Sequence, residues 1–420
     1  MATRPCVGDN VQISARKRIA LVTYALHCGG METYLLSLAG ALVDHGYEVH
    51  IITTVTKGEW FHRIASTGAL GFHVAPRMPF KAVRLVQVGK YLAKGNYDVI
   101  FLNHALYAQA TIGMLSDKTI VIPVLHNDVE DIYRVGCANY KAWNVAVAVS
   151  PKVRDTACHH VPDRPIICIP NGVEIPPDEV LSHRLSPERG LKLISVNRLD
   201  HGQKGVLFLP DILKRCLDRG LNATLTVIGD GADRDRLSDR IVRLGVAARA
   251  ELLGSLPHDQ IQFHLSISHA FLLPSFYEGL SIAAIEAMAS GCVPIASKLV
   301  GVTDSYIHDG LNGFLVSVGD IEGFVDAATR LQIFPETWQT MSRAARAMIV
   351  EHFSMQQMTN AYIRLMNDCQ DGLYPLARSR HNGLPLDISL IIPEFSFVRT
   401  RRMLSRCRSQ IESRNISISK

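Results

Sequence analysis

The chain has 420 residues, of which 47% are hydrophobic and 20% are charged, so it is long enough for two or three globular domains and is not a disordered chain. Its nine cysteines include no C-x-x-C pair, which argues against a disulfide framework or a zinc ribbon and favours a reducing, cytoplasmic location. No apolar run approaches the roughly 18 to 20 residues needed to cross a bilayer.

The net charge of +5 is concentrated at the carboxyl terminus. Residues 376–420 carry nine Lys and Arg against three acids, so the rest of the chain is close to neutral. The body is therefore not a nucleic-acid binder by charge, and any attraction to anionic surfaces belongs to the tail. Two interpretations of "RTRRMLSRCRSQIES" stay open: a mobile solvated tail, or an amphipathic helix lying on a membrane surface.

Near the amino terminus, the basic "RKR" precedes "IALVTYAL", which could be a signal peptide or a first buried strand. The glycine turn that follows so closely favours the strand. Helical patterns then alternate with short apolar runs: "RIALVTY", "EVHIITT", "DVIFLNH", "IVIPVLH" and "VAVAVS". Continuous apolar strands separated by helices predict a parallel sheet covered on both faces, as in a doubly wound domain.

A second alternation begins after "IICIPNGVEIPPDE", whose prolines and glycine are typical of a linker. Its strand-like segments are "LKLISVNRL", "ATLTVIGDG", "AELLGSL", "HAFLLPS", "VPIAS" and "NGFLV". Residues 320–369 then have apolar positions at helical spacing. The predicted fold class is α/β, with two Rossmann-like doubly wound domains facing each other across a cleft where ligands bind.

Two loops contain groups suited to phosphate. Gly29 and Gly30 join the first strand to a helix, so bare amides and a helix N-terminus are directed into the predicted cleft. Such a turn could also carry glycine for steric reasons alone. Arg198 and Lys204 follow the first strand of the second domain, where two fixed cations could meet a diphosphate. Exposed loop charges are the alternative interpretation.

A third turn, "VIGDGADRDRL", contains the D-x-D pair Asp233 and Asp235. Metal-dependent sugar transferases use this pattern. Here the two aspartates lie among arginines at a helix start, which favours a solvated, capping role.

The stretch "FYEGLSIAAIEAMASG" contains two carboxylates eight residues apart, Glu278 in a loop and Glu286 on the following helix. Ser281 is a plausible N-cap, and Gly291 is expected to stop the helix. Because an unpaired buried carboxylate costs several kcal/mol, Glu286 should have hydroxyl or amide partners, which a sugar could supply. A glycosidase also uses two carboxylates, but phosphate-directed groups would have no purpose in a hydrolase.

These motifs occur together, with "GGMETYLLSLAGALVDHGYEVHIIT", "IPNGVE", "LLGSL" and "LLPSFYEGLSIAAIEAMASGCVPIASKLVGVTDSYIHDGLNGFLV", in the order and spacing of the family-4 retaining glycosyltransferases of the GT-B fold. The resemblance covers residues 18–369. It implies a nucleotide-sugar donor held mainly by the second domain.

The resemblance also implies roles for individual residues. Glu286 would bind the ribose hydroxyls, while Arg198 and Lys204 would bind the diphosphate. Donor sugar and phosphate would meet Glu278 and the amides of Gly279, Leu280 and Ser281. Further donor contacts would come from Gly29, Gly30, Ser255 and Leu256, the last two near the base. "IPVLHNDVE" makes His126 the candidate histidine beside the reacting sugar, with His104 as its competitor and a structural role open for both. Glu278, His126, Arg198 and Lys204 are the expected catalytic set.

The chain departs from the family pattern at "VGVTD", where Val302 and Asp304 stand in positions that often hold glycine and glutamate. The expected division is an N-terminal extension (1–17), an acceptor domain (18–175), a nucleotide-sugar domain (176–354), a helix returning to the first domain (355–371) and a basic tail (372–420).

The expected activity is metal-independent, retaining transfer of a hexosyl unit from a UDP-, GDP- or ADP-sugar to an acceptor hydroxyl, without a cofactor or bound metal. The pathway would be glycan, polysaccharide or glycolipid biosynthesis. The acceptor is a saccharide or lipid-linked saccharide, no nucleic acid takes part, and 399–420 could contact the membrane, which would make the enzyme peripheral on the cytoplasmic side. A nucleotide-sugar epimerase, another GT-B enzyme and a non-catalytic nucleotide-sugar-binding protein are the alternatives.

Overall fold

A computed structural model describes residues 16–27, 29–74, 80–181 and 184–380, and all structural statements below concern these residues. Its strands fall into two parallel sheets. The first sheet contains β1 (Arg18–Thr23), β2 (Glu48–Thr53), β3 (Leu70–His73), β4 (Val99–Asn103), β5 (Ile120–Leu125), β6 (Ala146–Ala148) and β7 (Ile166–Cys168). The second contains β8 (Leu191–Val196), β9 (Ala223–Ile228), β10 (Ala250–Gly254), β11 (Ala270–Leu273), β12 (Val293–Ser297) and β13 (Phe314–Val316).

Helices follow most strands and cover the sheets. In the first half they are α1 (Gly30–Asp44), α2 (Lys81–Lys94), α3 (Leu106–Ala110), α4 (Glu130–Gly136), α5 (Pro151–His160) and α6 (Asp178–Leu181). In the second half they are α7 (His201–Lys204), α8 (Leu209–Asp218), α9 (Arg234–Arg243), α10 (His258–Ile267), α11 (Ile282–Ala289), α12 (Ile321–Ile333), α13 (Pro335–His352) and α14 (Met355–Gln370).

The two sheets have the same doubly wound strand order around their first strands. The first sheet runs β3-β2-β1-β4-β5-β6-β7, and the second runs β10-β9-β8-β11-β12-β13. Every neighbouring pair is parallel. In each sheet the order in which strands are added reverses beside the first strand. Open α/β sheets bind ligands in the crevice outside the carboxyl ends of the strands at this switch point. The predicted fold class is confirmed.

Two strands of the first sheet were not predicted. β3 (Leu70–His73) has four residues, none of them fully buried, and β7 (Ile166–Cys168) has only three. Both lie at the ends of the sheet, where a strand needs partners on one side only. Leu70–His73 lacks a buried apolar run, and Ile166–Cys168 opens a segment whose prolines and glycine are typical of a linker.

The chain crosses between the two sheet regions twice, and the crossings are hydrogen-bonded to each other. Val173, in the linker, donates its amide to the carbonyl of Phe353 at 2.9 Å and accepts from the amide of Met355 at 2.9 Å. Beyond this point α14 packs against α1, where the hydroxyls of Tyr34 and Tyr362 lie 2.8 Å apart in the core of the first sheet region.

After α14 the backbone continues along the first sheet region to Arg380, which is 1% exposed. The Arg380 guanidinium donates from Nε to the carbonyl of Ala142 at 2.9 Å and from Nη1 to the carbonyls of Thr119, at 2.8 Å, and Ser116. Its amide donates to Asp117 at 2.8 Å. Burial lowers the pKa of this guanidinium to about 10. Residues 373–380 are thus fastened to the loops before β5 and β6.

The proposed amphipathic stretch 399–420 and residues 1–15 lie outside the described residues. Among the described helices, none has both the length and the apolar character that would be needed to span a bilayer.

Candidate functional site

The two sheet regions meet where strands of both end. An ideal Cβ placed on Gly279, after β11, would lie 2.2 Å from the carbonyl oxygen of His126, after β5. A Cβ on Gly30 would lie 3.4 Å from Cδ1 of Ile282, and the amide of Lys152 donates to the carbonyl of Gly301 at 2.9 Å. Two segments of the second region, the one from Gly279 to Ile282 and the loop at Gly301, therefore contact the first, and the predicted site residues surround this junction.

Helix α11 begins where it was predicted to begin. Ser281 is its N-cap, and Oγ of Ser281 accepts from the amide of Ala284 at 3.4 Å. The helix ends at Ala289, and Gly291 has a φ of +73° that favours glycine. The amides of Gly279, Leu280 and Ser281 thus precede the positive end of a helix dipole, which suits an anion.

Lys204 and Glu278, which lie 74 positions apart in sequence, form a direct ion pair. Nζ of Lys204 donates to Oε1 of Glu278 at 2.7 Å and to Oε2 at 2.8 Å. Ser275 adds a hydroxyl that donates to Oε1 at 2.7 Å. The Glu278 side chain is 4% exposed and that of Lys204 is 16% exposed. An ammonium has three N–H donors, so Lys204 keeps one for a further acceptor.

Arg198 lies in the short connection between β8 and α7 and is exposed. Its Nη2 donates to Oε1 of Gln203 at 2.8 Å, and Gln203 is itself buried. The guanidinium is therefore held through one nitrogen by a neighbouring side chain, while the residue stays exposed. The phosphate-binding role of Arg198 stays a prediction.

Glu286 lies on α11 and is 8% exposed. Within the described chain no hydrogen bond reaches its carboxylate, and Nδ1 of His258 lies 3.8 Å from Oε1. Burial raises the pKa of Glu286 to about 7, and the charge of Glu174 acts in the same direction. The hydroxyl or amide partners expected for Glu286 are thus not supplied by the described residues.

His126 follows β5, and its ring lies edge-on to Tyr34 with centroids 4.8 Å apart. Nε2 lies 2.9 Å from Oδ1 of Asn103, whose own amide group donates to the carbonyl of Val22. This fixes the Nε2 proton and leaves Nδ1 as an acceptor; Nδ1 is buried and has no partner among the described residues. Burial lowers the pKa of His126 to about 3, so the imidazole is neutral at physiological pH.

His104 is committed to a different contact. Its φ of +48° is unusual for a side-chain-bearing residue, and its Nε2 lies 2.9 Å from Oδ2 of Asp131. Arg134 also pairs with Asp131 at 2.6 Å, and these contacts, that of His104 first, lower the pKa of Asp131 to about 2. His104 is therefore the less suitable of the two candidate histidines, because its ring already serves this carboxylate.

The first glycine turn contains a carboxylate that the sequence analysis overlooked. Gly29 is the N-cap of α1 and has an extended backbone, and its Cβ position lies 2.7 Å from Oε2 of Glu32. Glu32 is buried in the first turn of α1; burial raises its pKa, and the amides of Glu32 and His27 and the charges of His27 and Arg198 partly offset that effect. The turn therefore has a resident carboxyl group beside it.

Ser255 and Leu256 follow β10. Ser255 is exposed, while Leu256 is partly buried against a hydrophobic cluster that includes residues of both sheet regions. Immediately after them, Pro257 is the N-cap of α10 and His258 its first residue. This loop lies beside Glu286, as the contact between His258 and Glu286 shows. Sequence reasoning did not single out His258, and only its position beside the expected base-binding loop could have drawn attention to it.

The D-x-D aspartates have structural contacts. Asp233 accepts the amide of His201 at 2.7 Å, at the start of α7, and pairs with Arg236, while Asp235 is exposed. Asp233 occupies the N-cap position of α9 but caps α7 with its side chain. In the part of the chain that the structure describes, no three His, Cys, Asp or Glu side chains gather in a way that could hold a metal. Asp304 accepts the amide of Gly301 at 2.6 Å and so closes its own loop.

Two family models match the chain. The one described as Glycosyltransferase Family 4 matches residues 28–175, and the one described as Glycosyl transferases group 1 matches residues 179–348. The chain is 23% identical over 374 residues to N-acetyl-alpha-D-glucosaminyl L-malate synthase of Bacillus anthracis, covering 81% of this chain and 94% of that protein. A glycogen synthase of Mycobacterium tuberculosis is 29% identical over 170 residues; this match covers 40% of the chain and 41% of the synthase.

Solved structures show the same fold. Anabaena Alr3699/HepE in complex with UDP and glucose has a TM-score of 0.72 at 18% identity, covering 84% of this chain and all of that one. A variant of S. aureus TarM, in complex with Fondaparinux, alpha-GlcNAc-glycerol and UDP, also has a TM-score of 0.72, at 14% identity and with the same coverage. The chain belongs to the family-4, group 1 glycosyltransferases and has the GT-B fold of that family.

Proposed function

We propose that this glycosyltransferase moves a hexosyl unit, with retention of anomeric configuration, from a nucleoside-diphosphate sugar to an acceptor hydroxyl in polysaccharide or glycolipid synthesis. The observation that carries the proposal is the junction at Gly279, where the Lys204–Glu278 pair and the start of α11 lie against the loop of His126. Phosphate-directed groups and a sugar-directed histidine are thereby held on facing walls.

The donor would lie along this junction. Arg198, the remaining N–H of Lys204 and the amides at the start of α11 stabilise the charge that develops on the departing diphosphate. Glu278 accepts from hydroxyls of the donor sugar while staying paired with Lys204. Glu286 accepts from the ribose hydroxyls, and Ser255 and Leu256 lie near the base. On the opposite wall, Gly29 and Gly30 approach the phosphates, and the unpaired Nδ1 of His126 accepts from a sugar hydroxyl.

In this mechanism the bond from the anomeric carbon to the phosphate oxygen breaks, and a bond to the acceptor oxygen forms on the same face. The acceptor proton passes to the leaving phosphate. The neutral His126 is unsuited to donate a proton and suited to accept a hydrogen bond, so it positions the sugar.

The direct test is a thermal-shift screen with UDP-, GDP- and ADP-sugars, because a ligand that binds the native state raises its melting temperature. The best donor is then incubated with candidate acceptors, and the product's anomeric configuration is read by proton NMR. Inverted product would overturn the retaining assignment. Donor turnover without any acceptor would favour an epimerase, and donor binding without transfer would favour a binding protein.

Metal independence and membrane contact are parts of the same proposal. Activity is expected to persist in excess chelator, since two fixed cations face the diphosphate; strict metal dependence would contradict this part. The basic stretch 399–420 is proposed to bind anionic lipid on the cytoplasmic side. Deleting it should abolish binding to phosphatidylserine-rich vesicles, and unchanged binding would refute the membrane role.

A further inference from the structure

We propose that His258 is a second ribose-binding residue, forming with Glu286 a clamp that holds one hydroxyl of the donor nucleoside between an imidazole N–H and a carboxylate. This inference rests on the proposed use of a nucleotide-sugar donor. It assigns a donor contact to a residue outside the motifs that identify the family.

The geometry of the pair suits a bridging hydroxyl. Nδ1 of His258 lies 3.8 Å from Oε1 of Glu286, too far for a direct hydrogen bond. A hydroxyl oxygen about 2.8 Å from both atoms completes a triangle with them, accepting from Nδ1–H and donating to the carboxylate. A hydroxyl can accept one hydrogen bond and donate another at the same time. An ether oxygen can only accept, and the hydrogen atom that replaces the hydroxyl in a deoxy sugar can do neither.

Exposure of the two side chains agrees with this arrangement. The Glu286 side chain is 11% exposed and that of His258 is 40% exposed. The carboxylate of Glu286 is thus the more shielded of the two groups, and the imidazole of His258 is the more exposed. A ligand entering from the cleft meets both groups, and burial of Glu286 makes an additional N–H donor beside it valuable.

The distance between His258 and Glu286 is set by helices that are tied together. Ser290, after α11, donates its hydroxyl to Gln262 of α10 at 3.2 Å. Arg184 donates to the carbonyls of Leu265 and Ser266 from α10 and of Ser290 and Gly291 at the end of α11. One buried guanidinium therefore caps both helix ends, and the clamp is built on two elements that cannot separate independently.

The experiment compares nucleotides that differ by one hydroxyl. Affinities of the wild-type protein for UDP, GDP and ADP are measured by calorimetry, and the tightest ligand is measured again as its 2′-deoxy and 3′-deoxy forms. A single hydrogen-bonded hydroxyl should give the wild type a discrimination of roughly 10-fold or more against one deoxy form, because the clamp includes a charged acceptor.

His258→Ala should cut that discrimination to about 3-fold or less, since one of the two bonds is lost. His258→Asn, whose side-chain amide can place an N–H donor near the position of Nδ1, should restore most of it. His264→Ala is the matched control, because it removes a histidine from the same helix without touching Glu286. A residue that merely supports the fold would weaken ribose and deoxyribose ligands equally.

Wild-type discrimination retained in His258→Ala, or Asn behaving like Ala, would overturn the proposal for His258. If none of the three nucleotides binds the wild type, the proposed function itself fails. If nucleotides bind without discrimination in any variant, the ribose clamp as a whole is wrong while nucleotide binding stands.

Discussion

Lys204 and Glu278 are bound to each other through both carboxylate oxygens, at 2.7 Å and 2.8 Å. The pair joins the end of α7, the short helix after β8, to the loop after β11, and β8 and β11 are adjacent strands of the second sheet. Because Glu278 is almost completely buried, this contact contributes to stability as well as to the proposed chemistry. A substitution at either position will therefore alter two measurable properties, and experiments must separate them.

Lys204→Ala should reduce turnover by roughly 100-fold or more, because a cation facing the leaving group is lost. It should also destabilise the protein by about 3 to 5 kcal/mol, since Glu278 keeps only the Ser275 hydroxyl. The double variant Lys204→Ala with Glu278→Gln should recover most of the stability and none of the activity. Lys214→Ala, which breaks only an exposed pair with Asp218, is the control. Recovery of turnover in the double variant would contradict the phosphate role of Lys204.

Glu286→Gln should make the ligand-free protein more stable at alkaline pH. The ordinary carboxyl pKa of 4.5 is raised to about 7 in the folded protein, so folding favours the protonated form. Stability from this group is full below pH 4.5 and is lost as pH rises through 7, amounting to about 3 kcal/mol. A glutamine side chain does not titrate in this pH range. The melting temperature of the Glu286→Gln variant should therefore match that of the wild type near pH 5 and exceed it by several degrees at pH 8.

The charge of Glu174, from the linker, adds to the effect of burial in raising the pKa of Glu286. Glu174→Gln should therefore lower the pKa of Glu286 and reduce the pH dependence of stability.

The Glu286→Gln variant should also bind donor roughly 10-fold more weakly, because a charged acceptor for the proposed contact with the ribose hydroxyls is lost. A variant that is less stable at pH 8, or that binds donor normally, would refute the assigned environment or role.

Gly279→Ala should impair catalysis by a steric effect alone. The added methyl group would lie 2.2 Å from the carbonyl of His126 and 2.6 Å from Cα of Asn127, and backbone cannot yield as a flexible side chain can. Displacing the two walls by about 1 Å can cost roughly 100-fold in rate. Gly40→Ala, inside α1, meets nothing closer than 3.8 Å and should be neutral or slightly stabilising. Comparing turnover of the two alanine variants tests whether the glycine contact sets the cleft geometry.

Arg380→Ala should lower the free energy of unfolding by about 2 to 4 kcal/mol, because buried carbonyls of Ala142, Ser116 and Thr119 lose their donor. Arg380→Lys should recover little, since an ammonium cannot reproduce a planar guanidinium fork. Chemical denaturation measures both variants, with Arg154→Ala as an exposed control. A loss of unfolding free energy below about 0.5 kcal/mol, similar to that of the Arg154→Ala control, would show that residues 373–380 are only loosely attached.

Much of the fold was predictable because strands such as Arg18–Thr23 and Ala270–Leu273 contain four consecutive apolar residues, and their alternation with helices leaves few topologies. The short strands Leu70–His73 and Ile166–Cys168 were missed because their existence depends on pairing with a neighbour that is already in place. Local pattern contains no record of such tertiary pairing.

The site divides in the same way. Residues at fixed spacing around a turn, such as Glu278 and Ser281, could be placed from the sequence because the helix start determines them. Contacts between distant segments could not. The pairing of His104 with Asp131, the return of Glu32 to its own glycine turn and the approach of His258 to Glu286 each require the folded arrangement. Single polar residues have no periodicity by which to recognise them.

The two hydrogen bonds that join Val173 to Phe353 and Met355 have a mechanical consequence. Because both covalent connections between the two halves of the molecule run through this one place, they act as a single pivot. Any opening of the cleft is then a rotation about Val173, with small displacements there and larger ones at the far rim. Exchange of the proposed nucleotide-sugar donor is then expected at that rim, while the chain beside the pivot stays nearly still.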